Sequence, residues 1–225
     1  MEIFGFHIEF AWIQSFIMVL CFIPAVVCHE VAHGFMAYKL GDPTAKNAGR
    51  LTLNPVKHAD IFGTVLLPLV LMISGGPVFG YAKPVPYNPR YFKNIRKGEV
   101  LTGLAGPAAN LILGLLGALI FFFATMADYL APDVFIWVRT ICYYFSMINF
   151  ILMFFNLIPL PPLDGSSIIA PFLSDKALVQ YYKIQRYSLP ILMIILIVIP
   201  LLTGISPINI YLNATAGNLM EFLFS

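Results

Sequence analysis

Two histidines four residues apart with a glutamate between them, in His29-Glu30-Val31-Ala32-His33, are the residues of this chain best equipped for chemistry. On a helix this spacing stacks both imidazoles on one face, about 6 Å apart along the axis, where they converge on one cation. Glu30 then stands beside the open position of that cation. In such an H-E-x-x-H arrangement two neutral imidazoles hold zinc, and the carboxylate takes a proton from the water that the metal activates. The plainer reading is two core histidines and a snorkelling glutamate. The setting weighs against it: a charged side chain in mid-membrane costs about 2.5 to 3.5 kcal/mol even on the lenient insertion scale, so such a cluster needs a partner or a task.

That setting is set by composition. Of 225 residues, 60% are hydrophobic and 11% charged, with 20 Phe and 11 Tyr, and the mean hydropathy is +0.85. These values describe an all-α polytopic membrane protein rather than a soluble domain with a large core. The net charge of +2 is uninformative, and no basic patch interleaved with aromatics suggests a nucleic-acid partner. Cys21, Cys28 and Cys142 all lie in apolar stretches and are odd in number, which argues for packing thiols and against a disulfide framework. Cys28 points about 100° away from His29 on a helix and is not expected to be a ligand. The N-terminus carries Glu2 and Glu9 and no basic residue before the first apolar run, so that run is expected to be retained and not cleaved as a signal peptide.

The elements that must carry the motif follow from hydropathy. Residues 10–40 are apolar apart from Gln14 and the His/Glu cluster, enough for one spanning helix ended by Lys39, Gly41, Asp42 and Pro43. His33 and His29 then lie about 9 and 15 Å along the axis from Lys39, inside the bilayer and near one face. Further spans are expected at about 100–127, 135–158 and 187–203, and the tail 207–225, broken by Asn209, Asn213, Asn218 and Glu221, reads as an interfacial helix. The uncharged stretch 61–82 contains Gly63, Pro68, Gly75, Gly76, Pro77 and Gly80.

Of thirteen basic residues, four lie in 39–60, five in 83–98 and three in 159–186. By the positive-inside rule these segments share the cytoplasmic side, with the N-terminus and the link holding Asp128 and Asp133 outside. For that to hold, 61–82 must re-enter rather than cross, although its length alone would suit a plain span. A re-entrant backbone is tolerated only where protein or water covers it, so it should pack against the site.

Catalytic zinc has three protein ligands and a water. The third span ends in Asn156-Leu157-Ile158-Pro159-Leu160-Pro161-Pro162-Leu163-Asp164-Gly165. Prolines stop the helix and Gly165 permits a tight turn, so Asp164 is placed to fold back to the metal at the depth of His33. An ordinary Asp-Gly turn at the membrane surface is the alternative. Asn110, in Gly106-Pro107-Ala108-Ala109-Asn110 of the second span, offers an amide to an oxyanion or a substrate carbonyl, or serves as glue between helices. His58 and Asp60 are expected to have a local structural role.

With His29-Glu30-x-x-His33, Gly106-Pro107-x-x-Asn110, and Asn156-x-x-Pro159 followed by Leu163-Asp164-Gly165, in that order, the chain resembles the site-2 protease family of intramembrane zinc metalloproteases. The resemblance covers the catalytic core, about 10–170, with C-terminal helices at about 178–225 completing a single membrane-embedded domain. It implies a three-helix core, Zn2+ on His29, His33 and Asp164, Glu30 as general base, and Asn110 and Asn156 assisting the oxyanion or the substrate. It further implies single-span membrane proteins as substrates, cut within the span for signalling or for clearing signal-peptide remnants. An unwound substrate would add to a membrane-embedded β edge, a role that suits the Pro-rich residues 80–89. The sequence looks like a compact prokaryotic subgroup without PDZ-like or CBS-like domains. Two other classes stay open on the residues alone: a zinc or proton-coupled transporter, and a membrane chaperone without turnover. Few spans and no internal repeat weigh against the first, and intact Glu30 and Asp164 against the second.

Overall fold

The computed structural model describes residues 2–60, 83–127, 129–185 and 187–225, and among them every regular element is a helix, with no strand. The stretch expected to re-enter, 61–82, lies outside the described residues. Among the described residues three helices are long and apolar enough to cross a membrane: residues Ile13–Lys39 of α1 (Glu2–Lys39), all of α3 (Ile95–Met126), and residues Val134–Asn156 of α4 (Pro132–Asn156). Their large apolar side chains point outward, Phe16 and Val19 on α1, Ile112 and Phe123 on α3, Ile136 and Trp137 on α4. Lipid is the solvent that such surfaces require.

The ends of these helices follow local rules. Past Lys39 the chain turns at Gly41, whose φ of +104° is in the region glycine enters without steric cost. Asp42, fully buried, then accepts from Thr44 N (2.9 Å) and the Thr44 hydroxyl, opening the short α2 (Thr44–Asn47). Asn94 caps α3 by accepting from Lys97 N at 3.0 Å. Pro132 opens α4, where its missing N–H is harmless, and Pro159 follows soon after its end at Asn156.

The interior is built on small residues. Gly103, Gly106, Gly114 and Gly117 recur on one face of α3, and each is where another part of the chain approaches. A β-carbon at Gly114 would lie 2.7 Å from Cδ1 of the fully buried Phe150 ring on α4, and one at Gly117 would meet the Ser146 hydroxyl. Between α1 and α4 the contact is Ile17, Cys21 and Ala25 against Ile148. All three cysteines are free thiols.

Beyond α4, α5 (Asp164–Ile169) and α6 (Asp175–Gln185) lead to two helical segments, Ser188–Thr203 and Pro207–Phe224, bent by 105° at Gly204 to Ser206. The second of these docks Ala216 and Met220 on Phe150 of α4, and Tyr211 OH donates to Phe154 O at 3.1 Å. Its asparagines do not prevent it from packing on the third span. Asn218, for one, returns its amide to Ala214 O of its own helix, at 3.1 Å.

Gly114→Leu forces the Phe150 ring out of its place, and a loss of about 1–3 kcal/mol is expected, the usual range for overpacking. Thermal unfolding of the purified variant in detergent, compared with wild type, checks this.

Candidate active site

α1 presents His29 and His33 one turn apart, their rings nearly perpendicular (83°) with centroids 4.6 Å apart. Their Nε2 atoms are 3.0 Å from each other. Asp164, the first residue of α5, brings Oδ2 to 3.1 Å from His29 Nε2 and 3.2 Å from His33 Nε2. It reaches there because the Pro-rich turn after α4 runs back toward α1, and because Gly165 lets this turn sit on the end of α4. A β-carbon at Gly165 would be 2.5 Å from the Ile158 carbonyl oxygen.

The protons around this triangle are accounted for from behind. His33 Nδ1–H donates to the Thr102 carbonyl at 2.7 Å, and a carbonyl can only accept. His29 Nδ1 is 2.6 Å from Asn110 Oδ1, and both N–H groups of that amide are committed, to Ala25 O (3.2 Å) and Asn149 Oδ1 (2.8 Å). Each neutral ring therefore carries its proton on Nδ1 and turns a bare Nε2 lone pair inward. Asp164 Oδ2 is buried and has no hydrogen-bond partner among the described residues.

Three lone-pair donors facing one another at 3.0–3.2 Å repel unless a cation lies among them. A tetrahedral zinc with bonds of about 2.0–2.2 Å sets its ligand atoms roughly 3.3–3.6 Å apart, within a few tenths of an ångström of this triangle. Gly106 leaves the space open: a β-carbon there would be 2.5 Å from His29 Cε1 and 2.7 Å from its Nε2, and would also strike His33 Nε2. Donor set, spacing, orphaned carboxylate oxygen and glycine cradle all fit zinc.

Comparison with known proteins points the same way. The description Peptidase family M50 matches over residues 125–199. "Putative zinc metalloprotease YwhC" of Bacillus subtilis (strain 168) is 40% identical over 187 residues, covering 82% of this chain and 81% of that protein. The chain belongs to the M50, or site-2 protease, family. Similar proteins described in the same words as Rip2 occur in Mycolicibacterium smegmatis, 25% identical over 94% of this chain and 83% of the relative, and in Mycobacterium tuberculosis (strain H37Rv), 26% identical over 86% and 71%. No solved structure matches. This M50 protein is a multi-pass membrane zinc metalloprotease, and Zn2+ is its cofactor.

Within that frame the other residues singled out from sequence take these places. Glu30 is half-buried, and its Oε2 accepts from the backbone N–H of Val85 at 2.9 Å. Val85 belongs to an extended strap, residues 83–88, that crosses α1. Lys83 N donates to His58 O (2.9 Å), Arg50 Nη2 to Lys83 O (2.6 Å), and Asn88 N to Asp42 Oδ2 (2.6 Å). Of the residues 80–89 expected to offer a β edge, residues 83–88 form this strap, whose bonded N–H groups face the protein. Residues 80–82 lie outside the described residues.

His58 is buried and bonded to Thr52 O through Nε2 at 2.8 Å, shaping the loop that holds the strap. Of the two roles expected for Asn110, the bonds it makes are those of glue between helices. Fully buried, with both N–H groups used, it has no donor left for an oxyanion and instead orients the His29 ring. Asn156, half-buried at the end of α4, donates to Leu152 O at 3.0 Å.

Sequence reasoning missed three contributors: the Thr102 carbonyl, the Val85 N–H and Asn149. Backbone groups leave no trace in residue type. Asn149 did leave one, being an amide in an apolar span like Asn110.

Gly106→Ala places a methyl among the ring nitrogens, so the purified variant is expected to hold well under half the zinc of wild type while its far-UV circular dichroism stays unchanged. Metal analysis of the two proteins side by side reads this; full zinc occupancy in the variant would contradict the cradle. Asp164→Asn replaces the anionic corner of the triangle with a neutral amide and should weaken zinc binding by tenfold or more in a chelator competition.

Proposed function

We propose that this protein cleaves peptide bonds inside the membrane-spanning segments of single-span membrane proteins, with zinc held by His29, His33 and Asp164 and with Glu30 as general base. The observation that carries the reading is the position of the site along a helix long and apolar enough to span a membrane. Its two histidines belong to α1, and both rings are oriented from one neighbouring span, α3, by Thr102 and Asn110. A scissile bond must come to that position to react.

Bound zinc supplies Lewis acidity for the attacking water and the scissile carbonyl. The chain's own residues do the rest. Glu30 follows the ligand His29 in sequence and is held by the Val85 N–H, so its carboxylate takes the proton from the attacking water and returns it to the leaving amide nitrogen. Among the described residues Asn156 gives one amide N–H, to Leu152, and we assign the other contact with the substrate backbone. A helical substrate must first unwind near the cut, because its carbonyls are otherwise engaged within the helix. Helix-breaking residues close to the bond therefore favour cleavage. Clustering of basic residues in 39–60, 83–98 and 159–186 supports placing the site near the cytoplasmic face, with the N-terminus outside. Release of signalling fragments and clearance of signal-peptide remnants are the physiological uses that such cleavage serves.

The test is cleavage of a panel of single-span substrates in liposomes by wild type and Glu30→Gln, with zinc measured in both. The expected result is cutting within the apolar span, abolished by a chelator and restored by zinc. The variant should retain zinc and lose about 10²–10⁴-fold in rate. Zinc-dependent cleavage surviving in Glu30→Gln would overturn the base assignment. Cut sites lying only outside the span would overturn the intramembrane reading.

A further inference from the structure

Support for the metal-binding rings extends one residue beyond Asn110. Asn149 sits on α4, fully buried, among Ile148, Phe150 and the apolar residues that follow. Its Nδ2 donates to the Phe145 carbonyl at 2.8 Å, and its Oδ1 accepts from Asn110 Nδ2 at 2.8 Å. A backbone carbonyl can only accept, so the NH2 end of Asn149 must face Phe145 and the oxygen must face Asn110. That oxygen and the Ala25 carbonyl take both N–H groups of Asn110, so Asn110 must turn its own oxygen to His29. The group that can meet that oxygen there is an N–H on Nδ1.

We infer that Asn149 is a positioning residue: through Asn110 it sets the polarity of a three-residue relay that holds His29 as the Nδ1–H tautomer with Nε2 bare for the metal. The consequence for zinc rests on the proposed assignment of His29 as a ligand; the tautomer itself does not. Asn110 alone is a weaker device. A carboxamide is nearly symmetrical in shape, and only its hydrogen bonds tell one end from the other. Without Asn149 the polarity rests on Ala25 O, at the longer distance of 3.2 Å. The flipped amide would put its NH2 against His29 Nδ1 and so favour the Nε2–H tautomer, which cannot bind a metal through Nε2. A purely structural amide joining α3 to α4 would affect stability and leave the ring's tautomer untouched.

Two variants separate these roles. Asn149→Leu matches the size of the amide and removes both of its bonds. Asn149→Asp, neutral when buried, offers an O–H to Phe145 and an oxygen to Asn110, keeping the polarity. The readouts are ¹⁵N NMR of ring-labelled histidines in the metal-free, detergent-solubilised full chain, zinc affinity by chelator competition, and thermal unfolding without metal.

Metal-free wild type is expected to show His29 with a protonated Nδ1 and a bare Nε2. Asn149→Leu should shift His29 toward the other tautomer and weaken zinc binding by about 10–100-fold, the range for lost support of a ligand. Asn149→Asp should stay within about threefold of wild type. The inference is overturned if wild type shows the Nε2–H form, which needs no variant to fold. It is also overturned if Asn149→Leu keeps the wild-type ring signal, or if both variants lose zinc affinity only in step with thermal stability. Wild type that binds no zinc but whose ring signal moves in Asn149→Leu would reject the ligand assignment while upholding the relay.

Discussion

Two imidazole Nε2 atoms and a carboxylate oxygen meet within about 3 Å, and with each ring neutral and its proton on Nδ1 all three turn lone pairs inward. In water such a cluster would hydrate and spread. Inside a helix bundle it repels itself, and a cation is what turns the repulsion into binding. The surrounding structure follows from keeping the three atoms bare and close. The Thr102 carbonyl and Asn110 hold both ring protons on the far side, the Pro-rich turn delivers Asp164, and Gly106 keeps side-chain atoms out of the centre. A proton placed on any of the three atoms would turn an acceptor into a donor.

Close approach of the spans is the second requirement, and it is met by absence of side chains. Lipid provides no hydrophobic drive for helices to associate, so association depends on contact area and on interhelical hydrogen bonds. The glycines of α3 provide the first and the Asn110–Asn149 pair the second, on the same helix and toward the same neighbours. Packing and chemistry thus use one face. Phe150 against Gly114 holds α4 close, and one residue earlier Asn149 reaches across to Asn110.

The strap at residues 83–88 links the loops on the Lys39 side of α1 to the site. Proline at 84 and 86 removes N–H groups, which keeps the backbone extended and leaves Val85 N–H as the donor given to Glu30. Asp42, Arg50 and the His58 carbonyl fasten its ends, so residues far from the metal in sequence determine how the glutamate is presented. The same strap packs Val85 over Gly34, where a β-carbon would be 2.7 Å from Val85 Cγ1.

Composition and the H-E-x-x-H spacing by themselves determined that the chain lies in a membrane and that His29, Glu30 and His33 share one turn of helix. Both are local consequences, of transfer energy and of helical period. Prolines and a glycine around Asp164 made the third corner of the triangle legible too, since they dictate where a helix must stop. The C-terminal ends of the three spanning helices were read to within two residues, but their starts less well: α1 begins at Glu2 rather than near 10, and α3 at Ile95 rather than near 100 because Asn94 caps it there. What Asn110 does was decided by tertiary structure alone. An amide in an apolar helix needs partners, but which of its two ends meets which partner depends on groups 39 and 85 residues away. The same holds for the Thr102 carbonyl and the Val85 N–H, because backbone groups are identical in every residue and acquire a role only through the position in which packing places them.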